Sequence, residues 1–316
     1  MKWENQTTVT EFILVGFSTM PNIELFLFPP VLMMYIVTVT GNVLIIVIVT
    51  IDPALQSPMY FFLRNLSFIE ICFTLDTIPK MLVNLLLKHK SISYIGCAIQ
   101  MSCFFYFGCA ECFLLAVMSY DRYVAICNPL HYATVMNRNF CHKLVGGVWV
   151  IGIPVSLLQA AWIFSLPFCG QKEVNHFFCD TPPVLKLVCA DTYLFEMQAL
   201  ASTLLFIMFP FVLILISWDL ISYIRIITTI LRISSAEGSH KAFSTCSSHL
   251  TVVTLFYGSG SIVYLRPNSN YSPEVKKMLA LFYAVLTPML NPIIYTLRNH
   301  EVKEAMKRIL GQKIFS

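Results

Sequence analysis

Seven long apolar stretches leave this chain few ways to fold. They run near residues 25–50, 59–86, 97–127, 142–166, 194–224, 242–264 and 275–297. A helix needs about 20 mostly apolar residues to cross a bilayer, and each stretch is too long for a buried strand. Lipid admits only helices or closed barrels, because every backbone polar group must be paired internally. Period-two alternation is absent, so helices are expected: an all-α membrane protein, a seven-transmembrane helix bundle. Charged residues make up 12% of the 316, and mean hydropathy is +0.72. A soluble domain carries about 25% charged residues. The expected division is an N-terminal segment 1–24, a membrane domain 25–297, and a short helix and tail 298–316.

Orientation follows Lys and Arg near the span ends. Arg298, Lys303, Lys307, Arg308 and Lys313 crowd the last segment, while residues 1–24 hold only Lys2 as a base. The expectation is an extracellular N-terminus and a cytoplasmic C-terminus in the plasma membrane. Lys88 and Lys90, in an outer loop, run against this bias. Asn5-Gln6-Thr7 is a glycosylation sequon suited to an outer N-terminus, and Asn270-Tyr271-Ser272 is a weaker one. No signal-peptide pattern precedes the first span. A net charge of +4 gives no reason to expect nucleic acid. From Asn299 to Leu310, Val302, Ala305, Met306 and Ile309 share one helical face, as in a helix lying along the inner leaflet.

Of eleven cysteines, Cys97, Cys169, Cys179 and Cys189 fall in or beside the long outer loop. An oxidising exterior suits two disulfides there, with three pairings open.

Ionisable groups inside spans are expensive and usually face the bundle interior. Glu111 precedes Arg122 by eleven residues, close to three whole turns at about 100° per residue, so both share a face of the third span. Glu70, Asn42 and Asn291 reach a similar depth by the same geometry. Two carboxylates at one depth in low dielectric need a cation or a proton. A sodium ion and a static hydrogen-bonded network both fit. Asp76 and Lys80 are spaced as an i,i+4 pair. Pro292, in Asn291-Pro292-Ile293-Ile294-Tyr295, kinks the last span.

The third span ends in Met118-Ser119-Tyr120-Asp121-Arg122-Tyr123-Val124-Ala125-Ile126-Cys127-Asn128-Pro129. An Asp-Arg-Tyr there is costly unless it works at the inner membrane surface. Other ordered blocks are Gly41-Asn42, Pro58 to Leu63, Lys241 to Leu250, Phe256-Tyr257-Gly258, and Pro288 to Asn299. From about Phe12 to Arg308 the chain resembles the rhodopsin-like G-protein-coupled receptors, and more narrowly the vertebrate odorant receptors. The resemblance implies a Cys97–Cys179 and a Cys169–Cys189 disulfide. It implies an activation set of Asp121, Arg122, Tyr123, Tyr223, Lys241, Ser244, His249, Asn291, Pro292 and Tyr295, and a coupling layer of Asn42, Glu70, Glu111 and Asn291. It implies as partner a stimulatory or olfactory heterotrimeric G protein, which raises cyclic AMP.

Three positions depart from the family pattern. Ser119 and Ser239 stand where alanine and arginine are usual. Span five is five residues longer than usual, so Trp218 and Tyr223 compete for one tyrosine's place. Tyr223 is favoured, since a phenol both donates and accepts.

By resemblance the ligand set is Phe104, Phe105, Gly108, Cys109, Ser156, Gln159, Ser202, Thr203, Phe206, Tyr257, Gly260, Tyr264, Leu281 and Ala284. None is charged, so the expected ligand is a small neutral volatile with one hydrogen-bonding group. At about 10–12 heavy atoms, micromolar binding needs roughly 0.7–0.8 kcal/mol per atom, which is feasible.

Rival readings are a receptor for a non-odorant metabolite, which has the same pocket chemistry, and a small-solute transporter, which leaves Asp-Arg-Tyr unexplained. An opsin needs a lysine in mid-span seven, and 278–297 has none. No nucleophile–base spacing or metal triad suggests an enzyme. His176-Phe177-Phe178-Cys179 suits loop packing better than a metal site, because a disulfide removes the Cys179 thiolate. The only cofactor kept in view is the sodium ion at Glu70 and Glu111.

Overall fold

The computed structural model describes residues 9–17, 21–87, 89–168, 172–219, 251–262, 273–298 and 300–314. Its first long helices are α1 (Pro21–Ile51), α2 (Pro58–Leu86), α3 (Tyr94–Cys127) and α4 (Arg138–Phe164). Helix α5 (193–219) joins Tyr193–Thr203 and Phe209–Asp219 through a π-helical turn, Leu204–Met208. The described part of α6 is Thr251–Ile262. Helix α7 (273–298) joins Pro273–Leu281 and Thr287–Arg298 through a second π turn, Phe282–Leu286. The helix α8 (His300–Ile314) follows.

Five of the described helices are long and apolar enough to cross a membrane. Arg64, Glu70, Asp76 and Lys80 make α2 more polar than these. The architecture is a seven-helix bundle with α3 inside it. Ile69, Ala110, Leu114, Leu115, Val252, Val253 and Tyr295 meet in the main buried cluster.

Local chemistry sets the helix ends. Ser93 caps α3, its Oγ accepting from Gly96 N at 3.0 Å. Asn137 caps α4 through Phe140 N. Such caps satisfy backbone donors that the first turn leaves free. Gly41 lets α1 approach α7: a Cβ there would lie 3.1 Å from Pro292 Cβ. Both π turns precede a proline, Pro210 or Pro288, which removes a backbone donor. A π turn inserts one residue and rotates the face that follows.

One end of the bundle carries an unexpected cap. Strand β1 (Glu11–Leu14) pairs antiparallel with β2 (Ser91–Ser93) and parallel with β3 (Glu173–Val174). Phe12 and Leu14 point inward, while Glu11 and Ile13 are exposed. Phe12 lies among Tyr94, Phe164 and Phe168. Gly16 takes φ +54°, which favours glycine, and its carbonyl accepts from Lys277. Lys90 pairs with Glu24 in a buried salt bridge. A Cys97–Cys179 disulfide ties α3 to the long loop at this end, with Cα atoms 5.5 Å apart. Cys189 is also disulfide-bonded, and Cys169 lies outside the described residues.

Several expectations need correction. Helix α1 starts at residue 21, α3 at 94 and α4 at 138, each earlier than the apolar stretch, because capping residues extend a helix beyond its apolar core. The last helix runs to 314 rather than 310; within it Val302 and Ala305 are buried and Met306 packs on the core. Asp76 and Lys80 do not pair. Lys80 Nζ donates instead to Ser91 O at 2.7 Å, while Gln100 takes the Asp76 carbonyl. A neighbouring strand end is in reach, so the i,i+4 geometry loses.

Candidate functional site

A cavity of about 200 Å³ lies toward the disulfide end, enclosed by α3 to α7 and the short loop helix Thr181–Leu185. Helix α3 contributes a stripe: Phe104, Phe105, Gly108, Cys109, Glu111 and Cys112. These positions recur at helical spacing, so one face looks into the space. Added Cβ atoms at Gly108 and Gly260 would meet nothing within 4 Å. Both glycines therefore enlarge the cavity. The π turn in α5 brings Phe206 and Ile207 to the wall beside Ser202 and Thr203. Helix α4 adds Gln159, and Phe73 and Pro288 reach it from α2 and α7.

Nine residues of the expected ligand set line this space: Phe104, Phe105, Gly108, Cys109, Gln159, Ser202, Thr203, Phe206 and Gly260. Four others do not. Ser156 turns its hydroxyl to Ile153 O at 3.0 Å. Tyr257 is fully buried, donates to Cys112 O at 2.8 Å and stacks on Phe211. Leu281 and Ala284 pack in a cluster with Phe73 and Tyr283. Tyr264 lies outside the described residues. The uncharged lining is also corrected: Glu111, Lys186 and Glu196 all border the cavity. Lys186 and Glu196 are exposed at its mouth, where water screens them. Glu111 is only 2% exposed and sits at the inner end. The two rim charges come from loop folding and from α5 geometry, which residue spacing within single helices does not carry. Glu111 was legible as a buried carboxyl, but not as part of the cavity wall.

Below the cavity is a polar layer. Asn291 Nδ2 donates to Glu70 Oε1, and it reaches Glu111 Oε1 at 3.4 Å. All three residues are at most 2% exposed. Glu70 Oε2, Asn291 Oδ1 and Thr74 Oγ1 are buried with no hydrogen-bond partner. Asn42 is buried but does not join: its Nδ2 donates to Thr38 O at 3.0 Å, within α1. Asp76 is not part of the cavity wall, and its Oδ2 is also orphaned. Among the described residues no group of three or more His, Cys, Asp or Glu side chains is arranged for a metal ion.

At the far end, Asp121 is fully buried and accepts from Arg122 Nε and Nη2. Tyr132, in the short helix Tyr132–Val135, donates to Asp121 Oδ1. Burial, then the neighbouring Asp121 charge, push the Tyr132 phenol upward, so it stays protonated as a donor. Tyr123 packs on the core, and Tyr295 is buried there. Pro292 meets Gly41 as described. Tyr223, Lys241, Ser244 and His249 lie outside the described residues, as does Asn5. Trp218 falls within α5. Nearby, Asp52 caps Ala54 N at 2.9 Å and meets Arg308 of α8 at 2.8 Å. The Ala54 amide and then Arg308 hold its carboxyl below the usual range. Tyr60 of α2 donates to Glu301, a second tie to α8.

The loop residue His176 is 7% exposed between Phe177 and Phe178, and its Nδ1 has no partner. Burial drives its pKa from 6.5 to about 3, so it is neutral. With Cys179 in a disulfide, the cysteine beside His176 offers no thiolate to a metal.

Comparison with known proteins agrees with this architecture. Residues 31–313 match the family model described as olfactory receptor. The chain is 62% identical over 311 residues to human olfactory receptor 10A7, covering 98% of this chain and 97% of that one. It is 59% identical to human olfactory receptor 10A5, with coverage of 96% and 95%. Squid rhodopsin superposes with a TM-score of 0.74 at 17% identity, covering 96% of this chain and 88% of that one. At that identity the likeness concerns the fold.

Proposed function

Since this chain belongs to the olfactory receptor family, a family of multi-pass membrane proteins that are not enzymes, we propose that it binds a small, mostly apolar ligand in the α3–α7 cavity. Binding then activates a stimulatory or olfactory heterotrimeric G protein at the opposite end, and cyclic AMP rises. The protein sits in the plasma membrane with the disulfide end outside.

One observation carries the reading: the cavity stands directly above the Glu70–Glu111–Asn291 layer, on the helix that carries Asp121-Arg122 in its far part. A ligand that shifts α3 against α7 acts on both. The volume supports a small ligand, because a 150 Å³ apolar cavity already accepts benzene. Phe104, Phe105 and Phe206 supply dispersion. A neutral ligand fits better than an ion. The two exposed rim charges are of opposite sign and solvated, and the one carboxyl deeper in the lining, Glu111, is already reached by Asn291 at 3.4 Å, so an ion there would lose its hydration for few partners.

The test is cyclic AMP in cells carrying the receptor, at matched surface level, against neutral volatiles with acids and amines as controls. Responses to neutral compounds should vanish in Arg122→Ala. In Gly108→Val they should weaken without loss of surface protein, since that side chain enters open cavity. Responses confined to acids or amines would reject the neutral-ligand reading.

A further inference from the structure

We infer that a notch between α2 and α4, near the Asp121-Arg122 end of the bundle, seats an anionic phospholipid of the inner leaflet. Arg64, Arg138 and His142 hold its phosphate, and one acyl chain lies over Gly146. The inference takes its leaflet from the topology proposed above and is independent of the ligand cavity.

Two aromatic contacts join the helices. Phe61 meets His142 edge-on with ring centres 4.8 Å apart, and Phe68 meets Trp149 at 5.8 Å. The second contact is seven residues further along on both helices, so the two rungs lie about two turns apart on one face of each. Between them α4 presents Gly146, four residues from His142 and three from Trp149. A Cβ added there would meet nothing within 4 Å. Gly146 is exposed and Phe68 is 51% exposed, so the gap between the rungs opens toward lipid. An acyl chain fits such a gap by dispersion against the Phe68 and Trp149 rings.

The end of the notch nearer the helix starts is basic. Arg64 lies about 9 Å along α2 from Pro58, yet its guanidinium carbon sits 5.5 Å from the Phe61 ring centre. That is one turn back toward the membrane surface, as in a snorkelling arginine. His142 touches the same ring from α4, and Arg138 precedes it by one turn on the same face. From Pro53 to Ile69 and from Arg122 to Lys172 the sequence has no Asp or Glu. Nearby acids are engaged: Asp52 with Arg308, Asp121 with Arg122 and Glu301 with Tyr60. Among the described residues neither Arg64 nor Arg138 forms a salt bridge. Asn65, also between the rungs, donates to Phe61 O at 2.8 Å, which leaves the headgroup to the basic side chains. A guanidinium binds phosphate through paired N–H donors, and basic pockets between helices at the cytoplasmic side suit anionic headgroups. A sterol would leave both arginines without a counter-charge.

The experiment is quenching of Trp149 fluorescence in the full-length receptor, held in phosphatidylcholine nanodiscs that contain rising fractions of chain-dibrominated phosphatidylserine or chain-dibrominated phosphatidylcholine. Trp149→Phe supplies the blank for the other tryptophans. Half-maximal quenching should need about five-fold less of the serine lipid, the preference that one cation gives near an anionic surface. Arg64→Gln combined with Arg138→Gln should bring the two lipids level. Gly146→Leu, which fills open space, should do the same with every charge in place. Lys303→Gln combined with Lys307→Gln, on α8, should leave the preference intact. Equal quenching by the two lipids in the wild type overturns the inference, whatever the variants do. So does a preference that survives the arginine pair or Gly146→Leu, or one lost in the α8 pair. Stronger quenching by a brominated sterol, or loss of the preference to millimolar inorganic phosphate at constant ionic strength, would mark a sterol or a free-anion site and overturn it too. The two leaflets of a nanodisc are alike, so the result does not depend on which end faces outside. A wrong topology would move the site to the other leaflet without changing the quenching.

Discussion

The Tyr132 hydroxyl donates to Asp121 Oδ1 at 2.8 Å, while the other oxygen of that carboxylate holds Arg122. One buried carboxylate thus joins the short helix after α3 to the arginine expected to meet a G protein. Removing either partner changes how firmly Arg122 is kept.

Tyr132→Phe should raise basal cyclic AMP at equal surface level. It deletes one hydrogen bond to a charged group, worth about 1.5–3 kcal/mol, and leaves the ring packing in place. Unchanged or lower basal signal in a properly expressed variant would show that Tyr132 does not restrain Asp121.

The neutral, buried His176 makes stability depend on pH. Its folded pKa, about 3, is below its ordinary 6.5, so between these values the unfolded state binds the extra proton. Stability is complete above about pH 6.5 and declines as pH falls toward 3. At pH 5.5 the loss is about 1.4 kcal/mol. Thermal unfolding in lipid nanodiscs at pH 7.5 and 5.5 should show the midpoint falling less in His176→Phe than in the wild type. Equal falls would remove His176 from the account.

Gly41→Ala should destabilise the contact between α1 and α7. Its Cβ would crowd Pro292 at 3.1 Å, and overpacking of this kind costs about 1–3 kcal/mol. A lower unfolding midpoint is expected. An unchanged midpoint would mean that α1 gives way without cost.

Sodium should stabilise the polar layer. Glu70 Oε2 and Asn291 Oδ1 are buried oxygens with no partner, and oxygen ligands are what a hard cation takes. Replacing potassium chloride by sodium chloride at constant ionic strength should raise the unfolding midpoint of the wild type but not of Glu70→Gln. No difference between the two salts would favour a proton or water in the same place.

Apolar run length, composition and motif order were enough to read the helix bundle, the family, and the depth of Glu70, Glu111 and Asn291. These are local properties: a span records its own solvent, and a residue's height follows from rise per residue. Partnership is not local. Asn42 has the right height, yet bonds to Thr38 O. Lys80 has the right spacing from Asp76, yet reaches Ser91 O. Residues 11–14 give little sign of a strand, because their partners, 91–93 and 173–174, come from two distant loops. Leu281, just before the α7 π turn, and Ala284, within it, pack among α1 and α2 side chains, while Phe206, within the α5 π turn, lines the cavity. The amino-acid sequence determined which segments lie in lipid and which polar groups they carry. Tertiary structure decided which of those groups meet, since that depends on helix rotation, loop closure and competition among neighbours that no single segment contains.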